Sequence, residues 1–299
     1  MTTEIIMCSS PLDRRLPDDS YQLEYEAAKK ITKVHLIDIM SLDSYELSTH
    51  QPEGGVRAVY HGWMMPKEQY RKFFRACEAK GLNLVNTPAQ YSGCHYFDQW
   101  YPRLEGMTPK SVIVPRASVR EMMDAVIEFQ RADHCAVIIK DYVKSLKHLW
   151  HEACFIPENA NALQVAKVIS TFVSIKERDN DFQGNLVVRK FEKLKNIGEH
   201  SKSKMPLTQG YRYFILDGKI AFHSKYWNEG DYDAELPPES FVLSVANRIV
   251  ETINSKFFTI DVAQLENGNW TCIEVGDGQV SAIPERENPD EFFSALMGV

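Results

Sequence analysis

The feature that most constrains the fold is a hairpin signal close to the carboxyl end of the chain. Two largely apolar segments, residues 257–264 and 269–275, flank the dipeptide Asn267-Gly268. Both residues of this dipeptide tolerate a positive φ, which the tight turns of antiparallel hairpins require. Asp261 and Glu274 stand at equal distances on either side of the dipeptide. The sequence therefore predicts that these two acids face each other across a pair of strands.

Two explanations for this pair of acids remain open. Like charges directly opposite each other destabilise a sheet, and neutralising either acid would relieve the repulsion. A bound divalent cation would relieve it as well, and carboxylate oxygens are the ligands that Mg²⁺ prefers. The alternative is that the two side chains lie on opposite faces of the hairpin or simply face water.

The first 90 residues alternate between strand-like and helix-like patterns. Apolar runs of strand length begin near residues 4, 34, 56 and 82, and helical spacing occupies residues 19–31 and 66–80. Strands that alternate with helices indicate a parallel sheet with covering helices. Beyond about residue 184 the pattern changes to strands joined by hairpin turns, with one helix at 238–254 and a Lys- and Ser-rich loop at 197–209. The sequence therefore predicts an α/β part followed by an α+β part.

Composition excludes several classes of protein. The chain has 299 residues and a formal net charge of −7, from 34 Lys plus Arg against 41 Asp plus Glu. A net acidic chain lacks the electrostatic footprint of a protein that binds duplex nucleic acid. No apolar run approaches the roughly 20 residues that span a bilayer. The six cysteines are scattered rather than spaced as in a disulfide framework or a zinc site. These features predict a soluble cytoplasmic protein with no membrane partner.

Four basic residues lie at or near predicted strands. Lys140 ends an apolar strand and Lys144 follows it, whereas Arg189 and Arg212 lie inside two later strands. Burying a cation on a sheet without a partner is costly. A polyphosphate is a suitable partner, because Arg offers a planar fork and Lys a compact charge. Taken singly, each of these residues is more often a solvated strand residue, but their order ahead of the acidic hairpin favours a phosphate ligand.

A fifth basic residue, Arg57, belongs to the strand that begins near residue 56. Strand ends in an open parallel sheet direct their loops into the ligand crevice. Two interpretations stay open: Arg57 meets a substrate carboxylate, or it is a surface arginine close to a buried Trp63.

Taken in order, these segments resemble the ATP-grasp superfamily, and most closely its clade named for two arginines and a lysine. The resemblance covers about residues 90–299. It is carried by residues 137–145, 186–194, 211–227 and 258–279.

The resemblance implies an open parallel α/β domain over residues 1–89, followed by an ATP-grasp domain over residues 90–299. In that family two α+β subdomains, here about 110–183 and 184–299, clamp ATP between antiparallel sheets. The implied fold is therefore α/β and α+β, with ATP bound between the two subdomains.

The resemblance also implies roles for individual residues. Lys140 matches the lysine that contacts phosphate, Arg189 and Arg212 match the two arginines, and these three would be the catalytic cations. The remaining matches are Lys190, Phe191 and Glu192 at the adenine-side hinge and Asp261 and Glu274 as magnesium ligands.

Two departures from the family pattern affect these roles. The glycine-rich phosphate loop expected after the lysine is absent, and Lys144 with Ser145 would contact phosphate in its place. Most of the superfamily has Asn two residues after the metal-binding Glu, where this chain has Gly276. Asp277, beside it, would then be the third magnesium ligand.

The activity implied by the resemblance is that of an ATP- and Mg²⁺-dependent ligase. It would join a carboxylate to an amine through an acyl phosphate, with small molecules or peptides as substrates and residues 197–209 as a mobile lid. The same cations and acids would also serve an ATP-dependent small-molecule kinase or a non-catalytic nucleotide-binding module. These alternatives stay open, as does association into a homo-oligomer.

Overall fold

The computed structural model describes residues 3–39, 55–115, 118–143, 145–178, 182 and 185–298. None of the helices within these ranges is long and apolar enough to cross a membrane. The helices are α1 (Gln22–Lys29), α2 (Lys67–Ala79), α3 (Pro88–His95), α4 (Phe97–Trp100), α5 (Val119–Asp133), α6 (Ala162–Lys176), α7 (Glu239–Ile253) and α8 (Pro289–Met297). The strands are β1 (Thr3–Cys8), β2 (Val34–Ile37), β3 (Val56–His61), β4 (Leu82–Leu84), β5 (Ser111–Val114), β6 (Val137–Asp141), β7 (Phe155–Ile156), β8 (Leu186–Lys190), β9 (Asn196–Glu199), β10 (Pro206–Thr208), β11 (Gly210–Leu216), β12 (Lys219–Lys225), β13 (Phe257–Gln264) and β14 (Trp270–Asp277).

The first four strands form a parallel sheet in the order β2-β1-β3-β4, as the alternation of strands and helices predicts. In α2 the residues Tyr70, Phe73 and Cys77 recur at helical spacing and are buried in the core beside this sheet. The helix ends just before Gly81, whose φ of +73° costs a glycine nothing. Ligand crevices form at the carboxyl ends of parallel strands, which is where the segment after β3 begins.

A second sheet is antiparallel, with the order β5-β8-β6-β7. Helices α5 and α6 cover one of its faces, and Met122 and Ile169 lie in their shared core. Each helix begins with a capping box, at Ser118 and at Asn161, which satisfies the first free amides. Because side chains alternate along a strand, Lys140 and Arg189 lie on the opposite face of this sheet.

The third sheet is also antiparallel, with the order β12-β11-β13-β14. Helix α7 packs on one face, where Val245 and Ile249 share a core with Ile260 and Val262 of β13. Alternation along β13 places Asp261 on the other face, away from α7. Two antiparallel sheets, each with a helix-covered face, agree with the fold that the resemblance implies.

The hairpin β13–β14 pairs Asp261 with Glu274, which confirms the predicted juxtaposition. The sequence did not reveal how the turn and the strand pairing produce this register. The turn is longer than two residues, because the last pair before it is Gln264 with Trp270. If that register continued unbroken, Asp261 would face Ile273. A β-bulge at Ile273 adds one residue to β14 and brings Glu274 opposite Asp261.

The last helix, α8, returns to the first sheet. Phe292 and Phe293 are fully buried in a core that contains Ile5 of β1 and Phe257 of β13. An ion pair of 2.8 Å joins Lys30 to Asp290 at the surface of this contact. One hydrophobic core thus contains residues from both sides of position 89, and the division into residues 1–89 and 90–299, with subdomains meeting near 183, stays a prediction.

The Lys- and Ser-rich segment 197–209, predicted as a loop, is largely a short antiparallel hairpin formed by β9 and β10. Ile197, Met205 and Leu207 are buried from this segment and pack with Trp150. Strands of four and three residues carry too short an alternation to be recognised in sequence. The lid function of this hairpin stays a prediction.

Candidate active site

A row of three charged residues crosses the third sheet. Arg212 on β11 pairs with Asp261 on β13, and Asp261 pairs in turn with Glu274 on β14. Directly paired residues on neighbouring strands share a face, so the three side chains lie side by side on the face away from α7. Sequence reasoning assigned all three to the site, and the structure brings them together.

Arg212 and Asp261 form a two-point ion pair. The Nε and Nη2 atoms of Arg212 donate to the Asp261 carboxylate oxygens at 2.7 Å and 2.8 Å, and its Nη1 donates to the Ala282 carbonyl at 3.1 Å. Burial alone would lower the pKa of Arg212, but the adjacent carboxylate outweighs it and raises the pKa above its ordinary value. The anion that accompanies Arg212 in this state is therefore a carboxylate of the chain itself.

Lys140 reaches Glu274 from the opposite sheet. Its Nζ lies 2.5 Å from Glu274 Oε1, although the two residues belong to β6 and β14. Burial alone would raise the pKa of Glu274, but the charges of Lys140, Lys147 and Arg189 outweigh it and lower the pKa to about 2. Asp261 and Glu274 thus each pair with a predicted phosphate-binding cation, and the repulsion between these two acids is offset.

Arg189 is held by aromatic rings and a hydroxyl group. Its side chain is buried, its Nη2 donates to Thr108 Oγ1 at 2.7 Å, and the guanidinium lies 5.5 Å and 5.9 Å from the ring centres of Phe97 and Trp100. Burial lowers the pKa of Arg189, against the opposing attraction of Glu274. Contacts with aromatic faces stabilise a cation at such a depth.

A further lysine, Lys147, was missed by sequence reasoning. Its Nζ donates to the Tyr226 hydroxyl at 3.0 Å and lies 5.5 Å from the ring centre of Trp227. Burial alone would lower the pKa of Lys147, but Tyr226 and the Glu274 carboxylate raise it. The sequence signal was a second lysine shortly after Lys140, and the prediction chose Lys144, which lies outside the described residues.

A cleft of about 770 Å³, open to solvent, runs between the two antiparallel sheets. Lys147, Arg189 and Asp261 line it together with the predicted hinge residues Lys190, Phe191 and Glu192. Lys190 and Glu192 form an ion pair of 3.0 Å within the hinge. The Phe191 amide donates to the Ala136 carbonyl at 2.9 Å, so this amide already has a partner.

Asp277 lines the same cavity as Asp261 and Glu274, but its carboxylate is buried and hydrogen-bonded to other partners. It comes three residues after Glu274 in β14, so strand alternation turns it to the opposite face. Its carboxylate accepts hydrogen bonds from Asn86 Nδ2 at 2.6 Å and from the Gln279 amide at 3.0 Å. Its role as a third metal ligand stays a prediction.

The position where the family has Asn is closed to a side chain. A Cβ atom on Gly276 would lie 2.8 Å from Thr259 Oγ1 and 3.1 Å from Ser281 Oγ. These two hydroxyl groups are hydrogen-bonded to each other at 2.9 Å and occupy the space instead. A side chain at position 276 would therefore require these two hydroxyl groups to move.

The donor set fits a magnesium ion that is bound jointly with a nucleotide. Among the described residues there is no group of three His, Cys, Asp or Glu side chains arranged to hold a metal ion. Mg²⁺ usually keeps several waters and is held by one or two carboxylates plus substrate phosphates. Asp261 and Glu274, directly paired across β13 and β14, match that requirement.

Of the two interpretations of Arg57, the structure agrees with a surface arginine, but the buried Trp63 that went with it is wrong. Arg57 lies near the start of β3, where its Nη2 is 2.8 Å from Asp217 Oδ2. Trp63, expected to be buried, is 45% exposed just beyond the end of the strand. The residue that β3 brings to the ligand edge is therefore the tryptophan.

Two antiparallel sheets that face each other across a cleft, with cations and acids between them, define a protein of the ATP-grasp class. The sequence matches the model of an ATP-grasp domain family, the third of the clade named for two arginines and a lysine, over residues 130–296, more than half of the chain. The chain belongs to this family, which confirms the resemblance seen in the sequence.

Solved structures show the same fold. A RimK domain ATP-grasp protein from Sphaerobacter thermophilus has 14% sequence identity and a TM-score of 0.58, with 99% of this chain and 98% of that chain covered. D-cycloserine synthetase DcsG has 10% identity and a TM-score of 0.60, covering 99% and 98%. The ATP-grasp ligase PsnB, complexed with a minimal precursor, Mg and ADP, has 11% identity and a TM-score of 0.59, covering 99% and 97%. No curated protein sequence gives a significant match.

The buried carboxyl group of Asp277 leads to a prediction for the pH dependence of stability. Burial raises its pKa to about 7, although hydrogen bonds from Asn86 and Gln279 act in the opposite direction. An acid whose pKa is higher in the folded than in the unfolded chain binds an additional proton when folded, between those two values. We therefore expect the Asp277 contribution to the free energy of unfolding to decrease from about pH 4 to pH 7, by roughly 1 kcal/mol per pH unit.

Urea unfolding of the parent and of Asp277→Asn at pH 5, 6 and 7 measures this contribution. Because other groups titrate in both proteins, the informative quantity is the difference between the two pH profiles. The variant lacks the titrating group, so its stability should decline less steeply than that of the parent. Parallel profiles would show that Asp277 does not titrate in this range.

Proposed function

We propose that the protein is an ATP- and Mg²⁺-dependent ligase that joins a carboxylate to an amine. The observation that carries the proposal is the row Arg212–Asp261–Glu274 facing Lys140 across the cleft, with Arg189 buried beside it. Three cations and two acids at the meeting point of two sheets suit a triphosphate and its metal ion. The ATP-grasp ligase PsnB, which has the same fold, is found with Mg and ADP in its own complex.

The proposed reaction has two steps. A carboxylate oxygen of the first substrate attacks the γ-phosphorus of ATP, and the bond to the ADP oxygen breaks. The amine nitrogen of the second substrate then attacks the acyl carbon of the resulting acyl phosphate. Phosphate leaves and the nitrogen loses a proton, so the net products are an amide or peptide bond, ADP and phosphate.

The residues of the cleft have distinct roles in this proposal. Lys140, Arg189 and Arg212 bind the phosphate chain and stabilise the negative charge that develops during transfer. Asp261 and Glu274 would hold Mg²⁺, which when bound neutralises charge on the phosphate oxygens. The adenine base of ATP lies against the hinge at residues 190–192. This hinge lines the same cleft as Lys147.

Nucleotide binding requires an exchange of partners within the row. Arg212 and Lys140 are paired with Asp261 and Glu274 in this structure. A polyphosphate would draw both cations away from these acids and free the carboxylates for the metal ion. The resting ion pairs keep the buried charges compensated until the ligand arrives.

The direct test incubates the protein with ATP, Mg²⁺ and pools of carboxylates and amines, followed by assays for ADP and for a new amide mass. ADP together with an amide product supports the ligase. A phosphorylated acceptor without an amide indicates a small-molecule kinase. Nucleotide binding without ADP release indicates a non-catalytic module.

Lys147 is expected to contribute to ATP affinity. Lys147→Met keeps most of the apolar stem but removes the charge, and a charge-assisted contact contributes about 1.5–3 kcal/mol. We expect the Kd for ATP, measured by calorimetry with Mg²⁺ present, to rise at least about tenfold. Lys144→Met is the matched comparison, because the sequence predicted that Lys144, rather than Lys147, contacts phosphate. An unchanged Kd in Lys147→Met would remove this lysine from the nucleotide site.

A further inference from the structure

A second cavity, of about 780 Å³ and open to solvent, adjoins the nucleotide cleft. Asp261 lines both spaces, and Arg212 and Glu274 line the second cavity. A molecule bound there would lie beside the residues to which phosphoryl transfer is assigned above. The row across the third sheet therefore supplies charged groups to the lining of this cavity.

Part of the lining of this cavity is apolar. Trp63 and Met64, which follow the carboxyl end of β3, line it and are 45% and 43% exposed. Single exposed apolar residues are common on protein surfaces, and Leu163 on α6 is an example at 80% exposure. Trp63 and Met64 differ because they are adjacent in the chain and line a cavity that Arg212 and Glu274 also line.

Trp63 is fixed in position although its ring is exposed. Its Nε1 donates to Asp18 Oδ2 at 3.1 Å, and its carbonyl accepts a hydrogen bond from the Tyr60 hydroxyl at 2.8 Å. Its ring packs edge-on against Tyr21, with ring centres 5.3 Å apart. A side chain already held in place loses little conformational entropy when a ligand covers it, which favours binding.

We infer that this cavity binds the carboxylate substrate and selects one that carries an aromatic or large aliphatic group. The carboxylate lies toward Arg212 and the apolar group covers Trp63 and Met64. This assignment rests on the proposed ligase function for its catalytic meaning. The apolar selectivity itself rests on the cavity and is measurable as binding alone. The substrate class is shared by free amino acids and by peptides that end in such a residue.

The test measures binding by calorimetry in the presence of Mg²⁺ and ADP, with L-phenylalanine and L-alanine as one pair of probes and Gly-Phe and Gly-Ala as the other. The two members of each pair carry the same charges and differ in the apolar group. We expect the phenylalanine member of one pair to bind at least about tenfold more tightly, which is about 1.4 kcal/mol. The pair that shows this preference distinguishes a free amino acid from a peptide.

Variants locate the preference on the protein. Trp63→Ala and Met64→Ala should each reduce the ratio of the two affinities, and Trp63→Phe should retain most of it because an aromatic surface remains. Leu163→Ala, an exposed apolar residue outside the cavity, should leave the ratio unchanged. The Met64 variant keeps the test informative if loss of the Trp63 contacts to Asp18 and Tyr21 disturbs folding.

Three results would overturn the inference: equal affinity within both pairs, no measurable binding of any probe, or a preference that survives in both alanine variants. Parallel assays of ADP release separate this outcome from the fate of the proposed function. ADP release with small carboxylates and no apolar preference would support the ligase function and contradict the proposed selectivity. A Trp63-dependent preference without ADP release from any carboxylate and amine would leave the binding site standing and remove the ligase.

Discussion

Glu274→Gln is expected to reduce turnover at least about a hundredfold, which corresponds to about 2.7 kcal/mol of activation free energy. The variant keeps the volume of the side chain but removes a charged metal ligand from the row across the third sheet. The measurement is steady-state ADP release at saturating ATP, Mg²⁺ and substrates. Asp261→Asn should behave in the same way, because its carboxylate lies directly across the ladder.

In the absence of nucleotide, Glu274→Gln is expected to be less stable than the parent. From the sequence, neutralising one of two opposed acids should relieve repulsion and stabilise the sheet. The ion pairs reverse that expectation, because Lys140 would remain 7% exposed without its carboxylate partner. We expect a loss of about 2 kcal/mol in the free energy of unfolding, the range of a hydrogen bond to a charged group.

A double variant separates the two effects of Glu274. Lys140→Met combined with Glu274→Gln removes both charges of the pair, so it should recover part of the stability lost in Glu274→Gln. It should not recover turnover, because a metal ligand and a phosphate-binding cation are both missing. Full Mg²⁺-dependent turnover in Glu274→Gln would contradict the metal assignment whatever the stability.

Arg212→Lys is expected to reduce turnover at least about tenfold, or about 1.4 kcal/mol of barrier. Lysine keeps the positive charge but cannot make the two parallel hydrogen bonds that the guanidinium donates to Asp261. The same planar fork suits a phosphate group, so the replacement is not conservative. Steady-state ADP release under saturating conditions measures the effect.

Arg57→Lys is the matched control for Arg212→Lys. Arg57 also makes an ion pair with an aspartate, Asp217, but it lies at the opposite end of β3 from the ligand edge. Turnover in this variant should equal that of the parent. If Arg212→Lys also retained full turnover, Arg212 would serve only to hold Asp261, and the phosphate-binding set would shrink to Lys140, Arg189 and Lys147.

Much of the fold could be predicted from the sequence, because the patterns that indicate strands and helices are local. The strand β13 was predicted from an apolar segment beside the Asn-Gly turn, and the parallel sheet from strand–helix order. The bounds of β13 agree with the structure. The short strands β7, β9 and β10 were missed because two to four residues carry no measurable period. Helix α8 was missed although Pro289 stands at its first turn and Gly298 ends it, which is a recognisable pattern.

The candidate site was harder to predict from the sequence than the fold, because its residues come from distant parts of the chain. Sequence order suggested that Arg212, Asp261 and Glu274 belong together, but it assigned Arg212 to a phosphate and not to Asp261. That Lys140 reaches Glu274 depends on how two sheets pack, which no local pattern encodes. Trp63 was expected to be buried, since large aromatic residues usually are. Its exposure depends on where the end of β3 meets the third sheet.

The bulge at Ile273 shows that regular pairing and the site make opposite demands on one hairpin. An unbroken ladder through β13 and β14 would satisfy more backbone groups, but it would turn Glu274 to the α7 face and put an isoleucine beside Asp261. The extra residue at the bulge shifts the alternation of side chains along β14. Apolar residues before the bulge face the core, and the acid Glu274 after the bulge faces the cleft. The irregular step is thus what allows one strand to serve a hydrophobic interior and a charged surface in succession.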